Sequence, residues 1–93
     1  MNVKKAVHAI ISGRVQGVFF RMEIRQAAER IGVFGWVRNR SDGSVAAVFE
    51  GESEKVDQAV DWCKKGPPMA SVLNIKTDEI EYAGDYTNFS IRS

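Results

Sequence analysis

Between Ile11 and Gln26 the sequence reads ISGRVQGVFFRMEIRQ, and within it the spacing of apolar residues changes from two to about three and a half. Upstream, Val7, Ala9 and Ile11 alternate with His8, Ile10 and Ser12, and Ser12-Gly13 closes the run, which is the pattern of a strand with one strongly apolar face. Downstream, Phe20, Ile24, Ala27, Ala28 and Ile31 recur at helical spacing, with Glu23, Arg25, Gln26, Glu29 and Arg30 on the other side. Gly32 supplies a stop, so the spacing predicts a helix over Phe19 to Ile31. Strand, glycine-containing loop and helix follow one another without a linker. One residue sits awkwardly in this scheme: Arg21 falls in the helix's first turn, where a cation opposes the macrodipole by a few tenths of a kcal/mol. An arginine placed there needs an anion to meet.

Working toward the carboxyl end, GWVRNRSDGSVAAVFEG (Gly35 to Gly51) contains two alternating runs, Trp36 to Arg40 and Val45 to Glu50. The Ser-Asp-Gly-Ser cluster between them reads as a hairpin turn. Ser53 is expected to cap a second helix whose Val56, Ala59, Val60 and Cys63 share a face, with Lys64 and Lys65 in the last turn and Gly66-Pro67-Pro68 as terminator. SVLNIKTDEIEY reads as a further strand, and TNFSIR as a short edge strand. The order β-α-β-β-α-β with a terminal addition is that of an α+β ferredoxin-like sandwich, a mixed, largely antiparallel sheet with two helices on one face. In that topology the first two strands run parallel with the third between them. The loop after the first strand, the start of the first helix and Asn39 at the end of the second strand should therefore be neighbours.

The whole-chain properties agree with a single domain over residues 1–93. At 93 residues the chain can build one core, and its 44% hydrophobic and 27% charged composition argues against disorder and against a membrane span. With 13 Lys and Arg against 12 Asp and Glu, bulk charge gives no reason to expect nucleic acid. A monomer is the expectation. Cys63 is the only cysteine, which favours a reducing compartment, and MNVKKAVHAII lacks a cleavage pattern, so the expected location is the cytoplasm.

The loop SGRVQGV carries Gly13 and Gly17, so its backbone can take positive φ and approach a ligand closely before entering a helix amino end with unpaired N–H groups. With Arg21 added, fixed backbone donors and a guanidinium fork can converge on one phosphate-sized anion. The loop is not a P-loop, because the GK[ST] ending is absent, and it lacks the three glycines of a dinucleotide fingerprint.

GRVQGVFFR (Gly13 to Arg21), followed at matching distance by GVFGWVRN (Gly32 to Asn39), resembles the two signature stretches of the acylphosphatase family, and DGSV, FEG and GPP also stand where that family has them. The resemblance covers essentially the whole chain. It implies a ferredoxin-like sandwich and hydrolysis of the carboxyl-phosphate anhydride of acyl phosphates to carboxylate and inorganic phosphate, without metal or other cofactor. It also implies that Arg21 binds the phosphate, that Asn39 orients the attacking water, and that the amides of Val15, Gln16, Gly17, Val18, Phe19 and Phe20 form the cradle. Two positions depart from many members: Ala47, where an acidic residue is frequent, and Ser71, where arginine often follows the GPP turn.

The implied chemistry is self-consistent. Preorganised donors and a bidentate arginine suit the charge of a phosphoryl group in transfer. A neutral carboxamide can hold water but cannot take its proton, and neither signature contains a carboxylate or histidine, so the substrate's own phosphate oxygen is the expected acceptor. Judged by position alone, His8 and Cys63 read as structural, without metal-ligand spacing, and Phe19, Phe20, Phe34 and Trp36 read as core and rim packing. Trp62 falls beside the helical stripe. Arg14, Arg38 and Arg40 are candidates for a cationic cluster at the active end. The alternative reading is a non-catalytic phosphate- or RNA-binding ferredoxin-like module, although SVAAVFEG lacks the basic-glycine lead of RNA-binding sheets.

Overall fold

The computed structural model describes residues 3–93, so the first two residues of the amino-terminal stretch lie outside the described residues. Strands β1 (Lys4–Arg14), β2 (Phe34–Asn39), β3 (Val45–Glu52), β4 (Ser71–Ile80) and β5 (Phe89–Arg92) alternate with helices α1 (Phe20–Ile31) and α2 (Ser53–Lys65) in the predicted order. The sheet runs β4-β1-β3-β2-β5, with β2 and β5 parallel and the other pairs antiparallel. Because β1 and β2 flank β3 and both oppose it, they run the same way. Their carboxyl ends therefore lie at the same end of the sheet.

The period-two pattern of β1 sends Val7, Ala9 and Ile11 inward, and on β3 Val45, Ala47 and Phe49 do the same. Helix α1 lays Phe20, Ile24, Ala27 and Ala28 on this face, and α2 adds Val56, Ala59 and Cys63. Each fully buried large side chain among these contributes about 1.5 to 3 kcal/mol of transfer free energy. Aromatic stacking joins elements: Phe49 and Phe89 lie 5.5 Å apart between β3 and β5, and Trp62 stacks on Phe20 at 6.4 Å, sealing the edge between the helices. Burial raises the Cys63 thiol to about 12, which leaves it a small core hydrophobe.

Both helices stop as expected. Gly32, in the left-handed region, donates its N–H to the Ala28 carbonyl at 2.8 Å, and Gly66 donates to Trp62 at 2.9 Å before the Pro-Pro pair. Their starts differ from expectation. Phe19 is the residue before α1 rather than its first member, and it occupies the left-handed region at φ 61°. Ser53 does not cap α2 but is its first residue. Its N–H donates to the Val3 carbonyl at 2.7 Å, and Glu52 takes the cap position, its side chain not capping the helix amides.

On the face away from the helices, the connection between β4 and β5 is pinned by buried Glu50, which accepts the Tyr86 N–H at 2.9 Å, and by Trp36 Nε1, which donates to the Tyr86 hydroxyl at 3.1 Å. No helix among the described residues is long and apolar enough to cross a membrane.

Candidate active site

The end of the sheet where β1 and β2 finish carries an open cavity of about 280 Å³, lined by Val15, Gly17, Phe19, Phe20, Arg21, Met22, Asn39 and Ile91. Three sequence-distant pieces meet there as the topology requires: the loop after β1, the first turn of α1 and the last residue of β2. Val15 anchors the loop in the core, and Phe20 does the same for the helix start. The loop is thereby held at both ends.

The amides from Val15 to Phe20 donate to no backbone carbonyl of the described residues. At the same end α1 has no side-chain cap, so its first donors are also free to meet an outside acceptor. Gly17, at φ 72°, has nothing within 4 Å of where a Cβ would stand, so the loop is open on that side as well. A run of unpaired donors converging at a helix amino end is an anion-binding arrangement.

Gly13 proves different from Gly17. A Cβ on Gly13 would drive into the Ser71 carbonyl oxygen of β4, next to the register shift between Ser12 and Gly13. Its glycine is required by close strand packing at a bulge, not by a ligand.

Arg21 lines the cavity and forms no ion pair among the described residues. Asn39 shares its strand face with Val37, which is fully buried, and so points to the helix side of the sheet. Its Oδ1 is buried and accepts no hydrogen bond from the protein. An acceptor left bare in this way costs about 1 to 3 kcal/mol, which a donor in the cavity would recover once the carboxamide turns toward it.

The side chain of Gln16 does not face this cavity. Its Nε2 donates to the carbonyls of Arg40 and Ser44, both at 2.8 Å, tying the loop to the β2–β3 hairpin. Val18 turns aside too, into an adjoining cleft. Each can still offer its backbone N–H.

Phe19, expected as packing, is 72% exposed, because its left-handed backbone turns the ring outward, and Phe34 is also exposed. Two of the three arginines expected to cluster at this end are engaged elsewhere. Arg38 faces the opposite side of the sheet from Asn39, 5.9 Å from the Trp36 ring centroid, and Arg40 Nη1 is paired with Asp42 at 3.2 Å. His8 lies on that far face too, its ring 6.2 Å from Trp36. Ala47 is completely buried in the core, so an acidic residue there would be desolvated, and its departure from the family pattern concerns packing.

Two cavity residues were not legible in the sequence. Met22 follows Arg21 around the helix start, and Ile91 enters only because β5 pairs with β2 in parallel, placing Ile91 opposite Val37. The alternation of TNFSIR marked Ile91 as apolar but not as a neighbour of Asn39. Among the described residues no group of three or more His, Cys, Asp or Glu is placed to hold a metal ion.

The model of the family described as Acylphosphatase matches residues 7–91. An acylphosphatase of Thiobacillus denitrificans is 53% identical over 89 residues, covering 96% of this chain and 98% of its own length. One from Pelotomaculum thermopropionicum is 49% identical over 84 residues, covering 90% and 91%. A solved acylphosphatase from Coxiella burnetii superposes with a TM-score of 0.91 at 41% identity, over 98% of this chain and 94% of that one. With a donor-lined loop, an unpaired arginine and a bare asparagine oxygen at one end of this sheet, and relatives matching along nearly its whole length, the chain belongs to the acylphosphatase family.

Proposed function

We propose that the cavity at the β1–α1 junction is where this chain hydrolyses acyl phosphates, with the amides of Val15 to Phe20 holding the phosphoryl oxygens, Arg21 neutralising them and Asn39 placing the water. The observation that carries the reading is the run of donors from Val15 to Phe20 without backbone acceptors, beside the unpaired Arg21. Acyl phosphate hydrolysis is supported by the family and by relatives that carry the acylphosphatase name over nearly their full length.

The step balances without an enzyme base. The water oxygen bonds to phosphorus as the bond from phosphorus to the carboxyl oxygen breaks. The water's proton passes to a phosphate oxygen, and the carboxylate leaves unprotonated because it is a weak base. Arg21 and the amides stabilise charge on the equatorial oxygens through this change. Asn39 Oδ1 accepts one water hydrogen and fixes the direction of attack, which supplies orientation rather than proton transfer.

The continuous sheet and core of the described residues support reading residues 1–93 as one acylphosphatase-like domain, the family supports a small-molecule acyl phosphate as substrate, and a monomer is the state we infer from size and charge. The buried, unreactive Cys63 fits the expected reducing, cytoplasmic setting.

The deciding experiment follows phosphate release from acetyl phosphate with chelator present, for the parent and for folded Arg21→Ala and Asn39→Ala variants. Turnover by the parent is expected without metal. Loss of Arg21 is expected to lower kcat/KM by about 30-fold to several thousand-fold, the range for truncating one side of a desolvated charge pair. Phosphate binding without turnover in the parent would replace hydrolysis by the binding-module reading.

A further inference from the structure

Next to the cavity lies a second, more apolar cleft of about 200 Å³, lined by Val18, Phe19, Met22, Pro67, Pro68 and Met69, with Glu23 at its edge. Phe19 and Met22 line both spaces, so the two lie side by side with these residues as a shared wall. Resting on the hydrolytic reading above, we propose that this cleft is the acyl subsite and that it favours neutral, apolar acyl groups, an aryl ring or a short alkyl chain, on the phosphate held by the neighbouring loop.

The path of the reaction supports this placement. In-line displacement puts the leaving carboxylate on the side of phosphorus away from the attacking water. Asn39, which holds the water, lines the first cavity and not the cleft. An acyl group leaving the phosphate away from Asn39 therefore has the shared Phe19 and Met22 wall to follow.

The lining also differs from ordinary surface. Phe19, Met22 and Met69 are 72%, 43% and 68% exposed, a concentration of large apolar side chains at a single opening. The left-handed backbone at Phe19, unusual for an aromatic residue, is what turns its ring to this opening. Two of the walls are methionines, whose unbranched thioethers adapt to acyl groups of different shape. The Glu23 carboxylate has no ion pair among the described residues and disfavours a second negative charge on the acyl group. The Gly66-Pro67-Pro68 turn thus stops α2 and also brings Met69 to the cleft beside the first turn of α1.

The test compares kcat/KM for acetyl, butyryl, hexanoyl and succinyl phosphates in the parent, in Met69→Ser, and in Leu73→Ser as a control. Leu73 is 81% exposed and outside the cleft, so both substitutions alter exposed apolar residues and leave the core intact. In the parent, kcat/KM is expected to rise about twofold to fourfold per pair of methylenes, as partial burial of each allows, with succinyl phosphate below butyryl phosphate. Met69→Ser is expected to lower the hexanoyl to acetyl ratio about threefold, mainly through KM, and Leu73→Ser to leave that ratio unchanged. A flat series in the parent, a ratio untouched by Met69→Ser, or an equal fall in Leu73→Ser overturns the subsite. No turnover of any acyl phosphate strikes hydrolysis itself, whereas ordinary acetyl phosphate turnover with an unchanged ratio strikes only the acyl subsite.

Discussion

Gln16 Nε2 donates to the carbonyl oxygen of Arg40 at 2.8 Å, and Arg40 directly follows Asn39 in the chain. Together with the second bond to Ser44, this fixes the distance between the loop and the strand end that carries the carboxamide. Gln16→Ala removes one of two donors at each carbonyl, since the Gly43 N–H still reaches Arg40 and the Arg40 N–H still reaches Ser44, and is expected to cost about 0.5 to 1.5 kcal/mol per bond lost, read as a lower Tm. The same change lets Asn39 drift, so kcat should fall more than KM rises. Gln16→Glu should be worse on both counts, because a carboxylate would face two carbonyl oxygens with nothing to donate. Unchanged kcat in folded Gln16→Ala would show that the tether serves stability alone.

At Phe19 the left-handed backbone of a bulky residue stores about 1 to 2 kcal/mol. Its ring is mostly exposed and gives little packing in return. Phe19→Gly is therefore expected to keep or raise stability, by up to about 1 kcal/mol after glycine's greater unfolded entropy, while lowering activity as the loop loosens. Chemical denaturation beside steady-state kinetics separates the two effects. A marked loss of stability would mean that the ring's contacts outweigh the strain.

With His8 on the far face beside Trp36, no imidazole stands near the cavity. The profile of kcat/KM should lack a limb at about 6.5, and folded His8→Gln should match the parent across that range. A limb abolished by His8→Gln would contradict proton transfer to the substrate's own phosphate.

In the hairpin, hydrogen bonds from the Ser44 hydroxyl and amide, with Arg40 nearby, hold the Asp42 carboxyl below its ordinary 3.8. A carboxyl lower in the folded than in the unfolded chain stabilises above its unfolded value, and that contribution is lost as pH falls through its folded value. The Tm difference between the parent and Asp42→Asn should therefore be present at neutral pH and disappear in acid. A difference independent of pH would assign the effect to turn geometry instead of charge.

Much of this was legible because local chemistry and long-range pairing agreed. The change of period between Arg14 and Phe20 marked the passage from β1 to α1, and Arg21's conflict with the helix dipole marked it as a cation in want of an anion before any neighbour was known. The strand-face reading of Asn39 held because Val37 fixes the register from the core side. What failed to show was whatever depended on backbone angles or on a distant partner. Nothing in FF announces that Phe19 turns left-handed while Phe20 enters the core, and nothing around Gly13 announces that its Cβ would strike β4 and not a ligand. Ser53 fits a cap by type, yet its place is set by a backbone bond to Val3 that propensity does not encode.

Ile91 reaches the cavity only when β5 has docked beside β2, whereas Val15, Arg21 and Asn39 belong to elements formed much earlier in the chain. Closing that pair spans most of the sequence, the kind of contact that slows a folding reaction because chain entropy is lost before any gain is made. Recovery of activity during refolding should then trail the burial of Trp62 on Phe20, whose helices can pack without the last strand. Turnover here becomes a readout of β5 docking, and a chain with native helices and an undocked β5 would look folded by circular dichroism while its cavity still lacked a wall.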